Sequence, residues 1–235
     1  MLEHLRRAAA AGADLRFGER VLGWTAADGG EGVTVRTAEG VHSAASLVVS
    51  PGAWAPQLLP ELAPHLSVER QLLFWFSPVV PVDRFRAPAQ PVFIWEHRED
   101  LQTYGFPAYG PDSDGVKIAF FRNGHRTDPD QLDRVVTPAE AARMRDHLAE
   151  WVPTLAGTYL RGVACMYTTT PDEHFVISLH PEHPQVAVAA GFSGHGFKFV
   201  PLVGEVLADL VTQRSTAHPI GLFDPARLVP TTTTP

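Results

Sequence analysis

Two short segments in the last third of the chain carry the residue types best suited to chemistry. One is the run 165–174, Cys-Met-Tyr-Thr-Thr-Thr-Pro-Asp-Glu-His, and the other is 191–198, Gly-Phe-Ser-Gly-His-Gly-Phe-Lys. Cys165 is the only cysteine, so it forms no internal disulfide and is either a small buried hydrophobe or a reactive thiol. A glycine turn that opens a helix offers unpaired N–H groups and the positive end of the helix dipole to an electron-rich group.

Each segment also has a simpler structural interpretation. A glycine-rich turn between a strand and a helix is typical of tight packing, with His195 acting as a cap. His195 and Lys198 are three positions apart, so both cationic side chains are expected on about the same face. Tyr167 is expected on the same strand face as Cys165. The run Asp-Glu-His at 172–174 is most simply a polar turn.

Composition excludes several classes of function. The chain has 235 residues and a formal net charge of −7, without the basic stripe that nucleic-acid binding needs. No apolar stretch approaches the roughly 20 residues that span a bilayer. The N-terminus lacks a signal-peptide core and there is a single cysteine, which together favour the cytoplasm. The histidines lack metal-ligand spacing, and His-Pro-Glu-His at 180–183 is typical of a surface turn, so no metal is expected.

The pattern of strands and helices predicts an α+β fold with a remnant of α/β architecture. Early strands are expected at 15–17, 20–26 and 33–37, and a short apolar strand at 45–50 runs into Pro51-Gly52 and a helix. A strand, a glycine turn and a helix in this order bring backbone next to a nucleotide in doubly wound sheets.

The middle of the chain predicts one large, mainly antiparallel sheet with flanking helices. Four aromatic-rich strand candidates carry this prediction: 71–76, 91–95, 103–109 and 115–121. Thr137-Pro-Ala-Glu140 is a capping box with proline at the first helical position, and it predicts a helix to about Trp151. Strands at 158–168, 174–178 and 186–190 and a helix at 197–211 follow.

Together the two chemical segments closely resemble the monomeric sarcosine oxidase and N-methyltryptophan oxidase family, flavoenzymes of the D-amino-acid-oxidase type. The resemblance rests on 165–177 and 191–199, with Val-Gly-Glu-Val-Leu-Ala just after. It extends more weakly over almost the whole chain, through Ser-Pro-Gly-Ala-Trp at 50–54, Tyr-Gly-Phe-Pro at 104–107 and Gly-Val-Lys at 115–117.

The resemblance implies a role for each matching position. Cys165 would carry FAD through a thioether to the methyl carbon of the flavin ring. Lys117 would promote the reaction with oxygen, and Lys198 would bind the substrate carboxylate. The cofactor contacts implied are Gly52, Gly194, His195 and Gly196, the pocket tyrosines are Tyr104 and Tyr167, and the catalytic set is Lys117, His195 and Tyr167. Phe121 stands where sarcosine oxidase has a histidine, which argues against strict specificity for sarcosine.

The leading functional hypothesis is an FAD-dependent oxidase of the C–N bond in a secondary or N-methylated amino acid, with O2 reduced to H2O2. One alternative is a non-catalytic or partner-dependent member of the family. Another is an amine dehydrogenase of the same superfamily, against which the oxygen-promoting Lys117 argues.

No strand is followed by Gly-x-Gly-x-x-Gly, the loop that holds the pyrophosphate of a dinucleotide. We therefore expect 1–66 to be the trailing part of an FAD-binding domain, 67–160 the substrate domain, 161–224 a return to the FAD-binding domain, and 225–235 a disordered tail. A missing N-terminal segment is an expected partner. Without it the chain is expected to associate, to bind FAD weakly if at all and to show no oxidase activity.

Overall fold

The computed structural model describes residues 2–27, 31–98 and 101–228. The helices are α1 (Leu2–Ala10), α2 (Ala55–Leu58), α3 (Pro138–Trp151) and α4 (Val200–Gln213). The strands are β1 (Val21–Ala26), β2 (Val33–Thr37), β3 (Val41–Ala44), β4 (Leu47–Val49), β5 (Ser67–Phe76), β6 (Phe93–Arg98), β7 (Leu101–Gly105), β8 (Val116–Phe121), β9 (His125–Arg126), β10 (Tyr159–Thr169), β11 (Val176–Leu179) and β12 (Val186–Ala190). Most of the predicted tail, 229–235, lies outside the described residues.

The large antiparallel sheet is confirmed. Its strand order is β10-β5-β8-β7-β6, and the short β9 pairs with β5. One face packs against α3, which begins at the predicted capping box: Thr137 accepts a hydrogen bond from the Glu140 backbone, and Glu140 accepts one from the Thr137 backbone. The core between the sheet and α3 includes Phe74, Phe76, Val116, Ile118, Met144 and Leu148. The opposite face carries Trp75 and Lys117, which pair across β5 and β8.

A second sheet, in the order β11-β12-β4, carries the only parallel pair among the described strands, β12 with β4. Every residue of β12 is buried, as expected for a strand covered on both faces. Alternate residues pack against α4 on one side and against α2 and β2 on the other. The third sheet, β1-β2-β3, is an antiparallel meander.

Three details differ from the sequence-based expectations. No strand forms at 15–17, where Phe17 is 75% exposed. Pairing begins at Arg20, whose carbonyl accepts a hydrogen bond from the Ala38 backbone N–H. The helix expected from residue 197 begins as a 3₁₀ turn, and α4 starts at Val200, next to Pro201, because proline suits the first helical turn. The large sheet also continues to Thr169, beyond the expected boundary at 160. No helix in the described ranges is long and apolar enough to cross a bilayer.

Candidate active site

Strand register brings four of the nine predicted site residues to one face of the large sheet: Tyr104, Lys117, Cys165 and Tyr167. Lys117 on β8 is directly opposite Trp75 on β5, which is opposite Arg161 on β10. Cross-strand partners share a face, and residues two positions apart along a strand share it too. The face away from α3 therefore carries Trp75, Tyr104, Lys117, Phe121, Arg161, Cys165 and Tyr167.

Lys117 lies in an aromatic environment on this face. Its Nζ is 4.8 Å from the Phe106 ring centroid, 5.7 Å from that of Trp75 and 6.0 Å from that of Tyr104. Burial lowers the pKa of Lys117, while the nearby Cys165 acts in the opposite direction. The ammonium is thus partly desolvated, and its field is less screened than that of a surface lysine.

Tyr104 and Tyr167 form the polar part of the same face. Phe121 packs edge-on against both, with its ring centroid 6.0 Å from that of Tyr104 and 6.3 Å from that of Tyr167. Burial, and secondarily the neighbouring Tyr167, raises the pKa of Tyr104, and burial also raises the pKa of Tyr167. Both phenols therefore keep their protons at neutral pH and are able to donate hydrogen bonds.

Cys165 is half-buried, and its thiol is free. It is directly opposite the buried Gln71 of β5. Its charge would be felt by Lys117, Tyr104 and Tyr167, which shows that the thiol belongs to this cluster. The thiol therefore shares this face with the Lys117 ammonium.

The glycine turn lies against the end of β10. Gly194 has φ +79°, and a Cβ there would overlap the Tyr167 ring, so only glycine fits. The turn is anchored by Ser193, whose backbone donates to the Thr168 carbonyl at 2.9 Å. Within the described part of the chain, the N–H groups of Gly194 and Gly196 have no acceptor.

A cavity of about 520 Å³ lies between this turn, α4 and the turn after β4. Gly52, Tyr167, Gly194 and Gly196 all line it. Gly52 has φ +58° and open space where a Cβ would be, and its carbonyl accepts a hydrogen bond from the Thr168 hydroxyl at 3.3 Å. The cavity joins the sheet face at Tyr167. Lys117, Tyr104, Cys165, His195 and Lys198 do not line it.

His195 and Lys198 are less closely joined to this cluster than expected. The His195 Nε2 is 3.1 Å from the Glu173 carbonyl, and its ring lies 4.8 Å from that of Phe175. Burial lowers the pKa of His195, which favours the neutral imidazole at pH 7. Lys198 is exposed, with its Nζ 5.3 Å from the Phe199 ring.

Sequence reasoning missed three contributors to the site. The guanidinium of Arg161 stacks on the Trp75 ring at 3.6 Å, and Arg122 stacks on Phe121 at 4.5 Å. Arg161 precedes Cys165 by four positions, so the alternation of side chains along β10 places both on one face. This pattern could have identified Arg161 from the sequence. Trp75 and Arg122 depend on pairing between strands, which no local pattern reports.

The sequence pattern of the family described as DAO, FAD dependent oxidoreductase, matches residues 1–210. The chain belongs to this family. It is 52% identical over 227 residues to a monomeric sarcosine oxidase of Streptomyces avermitilis, covering 96% of this chain and 58% of that protein. It is 32% identical to an N-methyl-L-tryptophan oxidase of Salmonella heidelberg, covering 82% of this chain and 50% of that protein.

A likeness to solved structures agrees with this membership. NikD, an unusual amino acid oxidase essential for nikkomycin biosynthesis, superposes with a TM-score of 0.73 at 25% identity. The alignment covers 93% of this chain and 57% of that one. The chain thus spans little more than half the length of these relatives.

Proposed function

We propose that this protein takes part in the FAD-dependent oxidation of the C–N bond of a secondary or N-methylated amino acid, with O2 as the electron acceptor. The observation that carries the proposal is the shared sheet face. Lys117, Tyr104, Cys165 and Tyr167 come from three strands and meet on that face, next to a glycine turn with free N–H groups. The names of the relatives support the substrate class.

The residues present fit a flavin. The cavity has glycine at Gly52, Gly194 and Gly196 and apolar side chains around them, so a planar ring would meet exposed backbone together with apolar surface. Free N–H groups at Gly194 and Gly196 suit the edge of the ring that becomes anionic on reduction, because fixed dipoles stabilise developing charge. The chemistry that FAD supplies when bound is a two-electron oxidation of the amine carbon, giving an imine that water hydrolyses, and reduction of O2 to H2O2.

In this proposal Cys165 holds the cofactor covalently. Forming a thioether to the methyl carbon of the ring would replace one S–H and one C–H bond by an S–C bond, and the two electrons and two protons released would pass to O2 to give H2O2. The free, half-buried thiol on the same sheet face as Lys117, Tyr104 and Tyr167 supports this role.

Each of the remaining residues has one task. Lys117 supplies a fixed, partly desolvated positive charge for oxygen reduction. Tyr104 and Tyr167 remain protonated and orient the substrate by donating hydrogen bonds. Lys198 is the proposed carboxylate ligand; its exposed position means that it would have to turn towards the pocket. The neutral His195 stabilises the turn beside the ring.

The test is anaerobic reduction of the FAD-loaded protein. N-methylated amino acids should bleach the flavin absorbance, whereas the matching N-methylamines without a carboxylate should do so far more slowly. Readmitted air should restore the colour and release one H2O2 per flavin. A loaded protein that no secondary amino acid reduces would contradict the proposal, and reduction without peroxide on reoxidation would favour a dehydrogenase.

A further inference from the structure

An ion pair joins two turns that flank the proposed site. Arg122 follows directly after β8, and Glu173 lies in the turn after β10; the Arg122 Nη1 donates to the Glu173 carboxylate. Both residues have left-handed backbone, with φ +55° and +62°, which is rare for residues other than glycine, asparagine and aspartate. Such conformations persist only where surrounding contacts hold them.

The Glu173 turn is also tied to the glycine turn. Its carbonyl accepts a hydrogen bond from His195, and its neighbour Asp172 is held by Arg227, with Nε 2.7 Å from Oδ2. The Arg227 guanidinium lowers the pKa of Asp172 to about 2. The acidic turn at 172–174, which had no functional interpretation from sequence, is therefore fixed by an arginine on each side.

Arg122 also contacts the aromatic part of the site. Its guanidinium carbon lies 4.5 Å from the Phe121 ring centroid, and Phe121 packs edge-on against both Tyr104 and Tyr167. The Arg122 Nε is buried and has no hydrogen-bond partner among the described residues. A guanidinium held by one carboxylate and one ring fixes orientation, because its planar fork is rigid.

We propose that Arg122 is a positioning residue that, through Glu173, holds His195 and the glycine turn against the tyrosine pair. The ion pair links the end of β8, which carries Lys117, to the Glu173 turn, whose carbonyl accepts a hydrogen bond from His195 in the glycine turn. The inference that this turn faces a flavin rests on the proposed function, whereas the contact network is independent of it.

The charges of Arg122 and Glu173 both affect the pKa of His195, so the titration of His195 reports on this network. Burial is the largest cause of the lowered pKa of His195; beyond it, Arg122 and Lys198 lower the pKa and Glu173 raises it. Loss of the Arg122 charge and loss of the Glu173 charge should therefore move the His195 titration in opposite directions. General loosening of the fold would expose the ring in both variants and raise its pKa in both.

The experiment compares Arg122→Met, Arg122→Lys and Glu173→Gln in the full chain without added FAD. The matched control is Arg126→Met, which removes the same charge from an exposed residue four positions on. NMR follows the titration of labelled histidines, with His195 assigned by its loss in His195→Gln. Hydrogen exchange follows the amides of Glu173 and His195, which donate to Thr170 and Phe192.

We expect Arg122→Met to raise the His195 pKa and Glu173→Gln to lower it, with exchange at both amides faster by about tenfold in each. Arg122→Lys should keep the pKa but not the full protection, because an ammonium lacks the fork. Arg126→Met should change neither readout.

Arg122→Met behaving like Arg126→Met would overturn the proposal. If Arg122→Met does not fold, Glu173→Gln is the deciding variant. A His195 titration and amide exchange in Glu173→Gln identical to those of the wild type would then overturn the proposal. Neither readout needs flavin, so a failed oxidase assay leaves this result independent.

Discussion

Lys117 is the residue whose proposed role separates most cleanly from substrate binding. Its ammonium lies among aromatic rings and is partly desolvated, so its charge acts on whatever develops negative charge nearby. In the FAD-loaded protein, Lys117→Met should slow reoxidation by O2 by about 100-fold or more, the usual effect of losing such an electrostatic contact.

Stopped-flow measurement of the two half-reactions checks this. Reduction by the amine should change much less than reoxidation, and Lys117→Arg should recover part of the oxygen rate because it keeps the charge. Equal losses in both half-reactions would identify Lys117 as a structural or substrate-binding residue.

The backbone conformation of Gly194 and its contact with Tyr167 can be tested by substitution. Its φ of +79° and the Tyr167 ring, which occupies the space that a Cβ would need, predict that Gly194→Ala costs about 1–3 kcal/mol of unfolding free energy. Gly204 on α4 is the matched control, since nothing lies within 4 Å of its Cβ position, and Gly204→Ala should be neutral or stabilising by up to about 1 kcal/mol.

Urea unfolding of the FAD-free chain measures both variants. Equal stability of Gly194→Ala and Gly204→Ala would show that the glycine turn is not packed against Tyr167 as the structure has it.

At the scale of elements, α3 is joined to the sheet by a buried polar contact. His147 Nε2 is 2.8 Å from the Thr103 hydroxyl, and its ring is 4.8 Å from that of His97. Burial lowers the pKa of both histidines, so the unfolded chain binds more protons than the folded one. Stability is therefore complete above the unfolded pKa of about 6.5 and is lost as pH falls below it.

The unfolding free energy should fall between pH 7 and pH 5, by at most about 1.4 kcal/mol per pH unit for each histidine. His147→Gln, which keeps a polar partner for Thr103, should flatten this dependence, whereas the same change at the exposed His4 should leave it unaltered. Urea titrations across that range measure it. An unchanged slope in His147→Gln would show that its protonation is not linked to folding.

The features that could be predicted from the sequence are those determined by residues close together in the chain. The capping box of α3, the buried β12 and the shared face of Cys165 and Tyr167 all follow from spacing within one element. The Lys117–Trp75–Arg161 row could not be predicted, because it depends on the register of three strands. The Arg122–Glu173 pair spans 51 positions, and nothing local to either residue indicates the other.

At the scale of the whole molecule, an apolar surface runs along the start of α4. Phe197 is 77% exposed, Val200 50% and Leu202 43%. The neighbouring β4 ends its sheet, with no strand beyond it among the described residues. Exposed apolar patches and open strand edges favour association.

The FAD-free chain should therefore associate reversibly at micromolar concentrations, as light scattering during size-exclusion chromatography would detect. Phe197→Ser with Leu202→Lys should shift it towards monomer, while Phe17→Ser, at a separate site that is 75% exposed, should not. A monodisperse wild-type monomer at high concentration would contradict this.

The proposed activity depends on a flavin bound at the face that carries Cys165. Mass spectrometry of the proteolytic peptide containing Cys165, from flavin-bearing protein, tests this most directly. We predict a peptide whose mass is raised by that of FAD less two hydrogens, and colourless denatured protein for Cys165→Ser. A yellow protein with amine-dependent turnover and an unmodified Cys165 peptide would contradict the assignment.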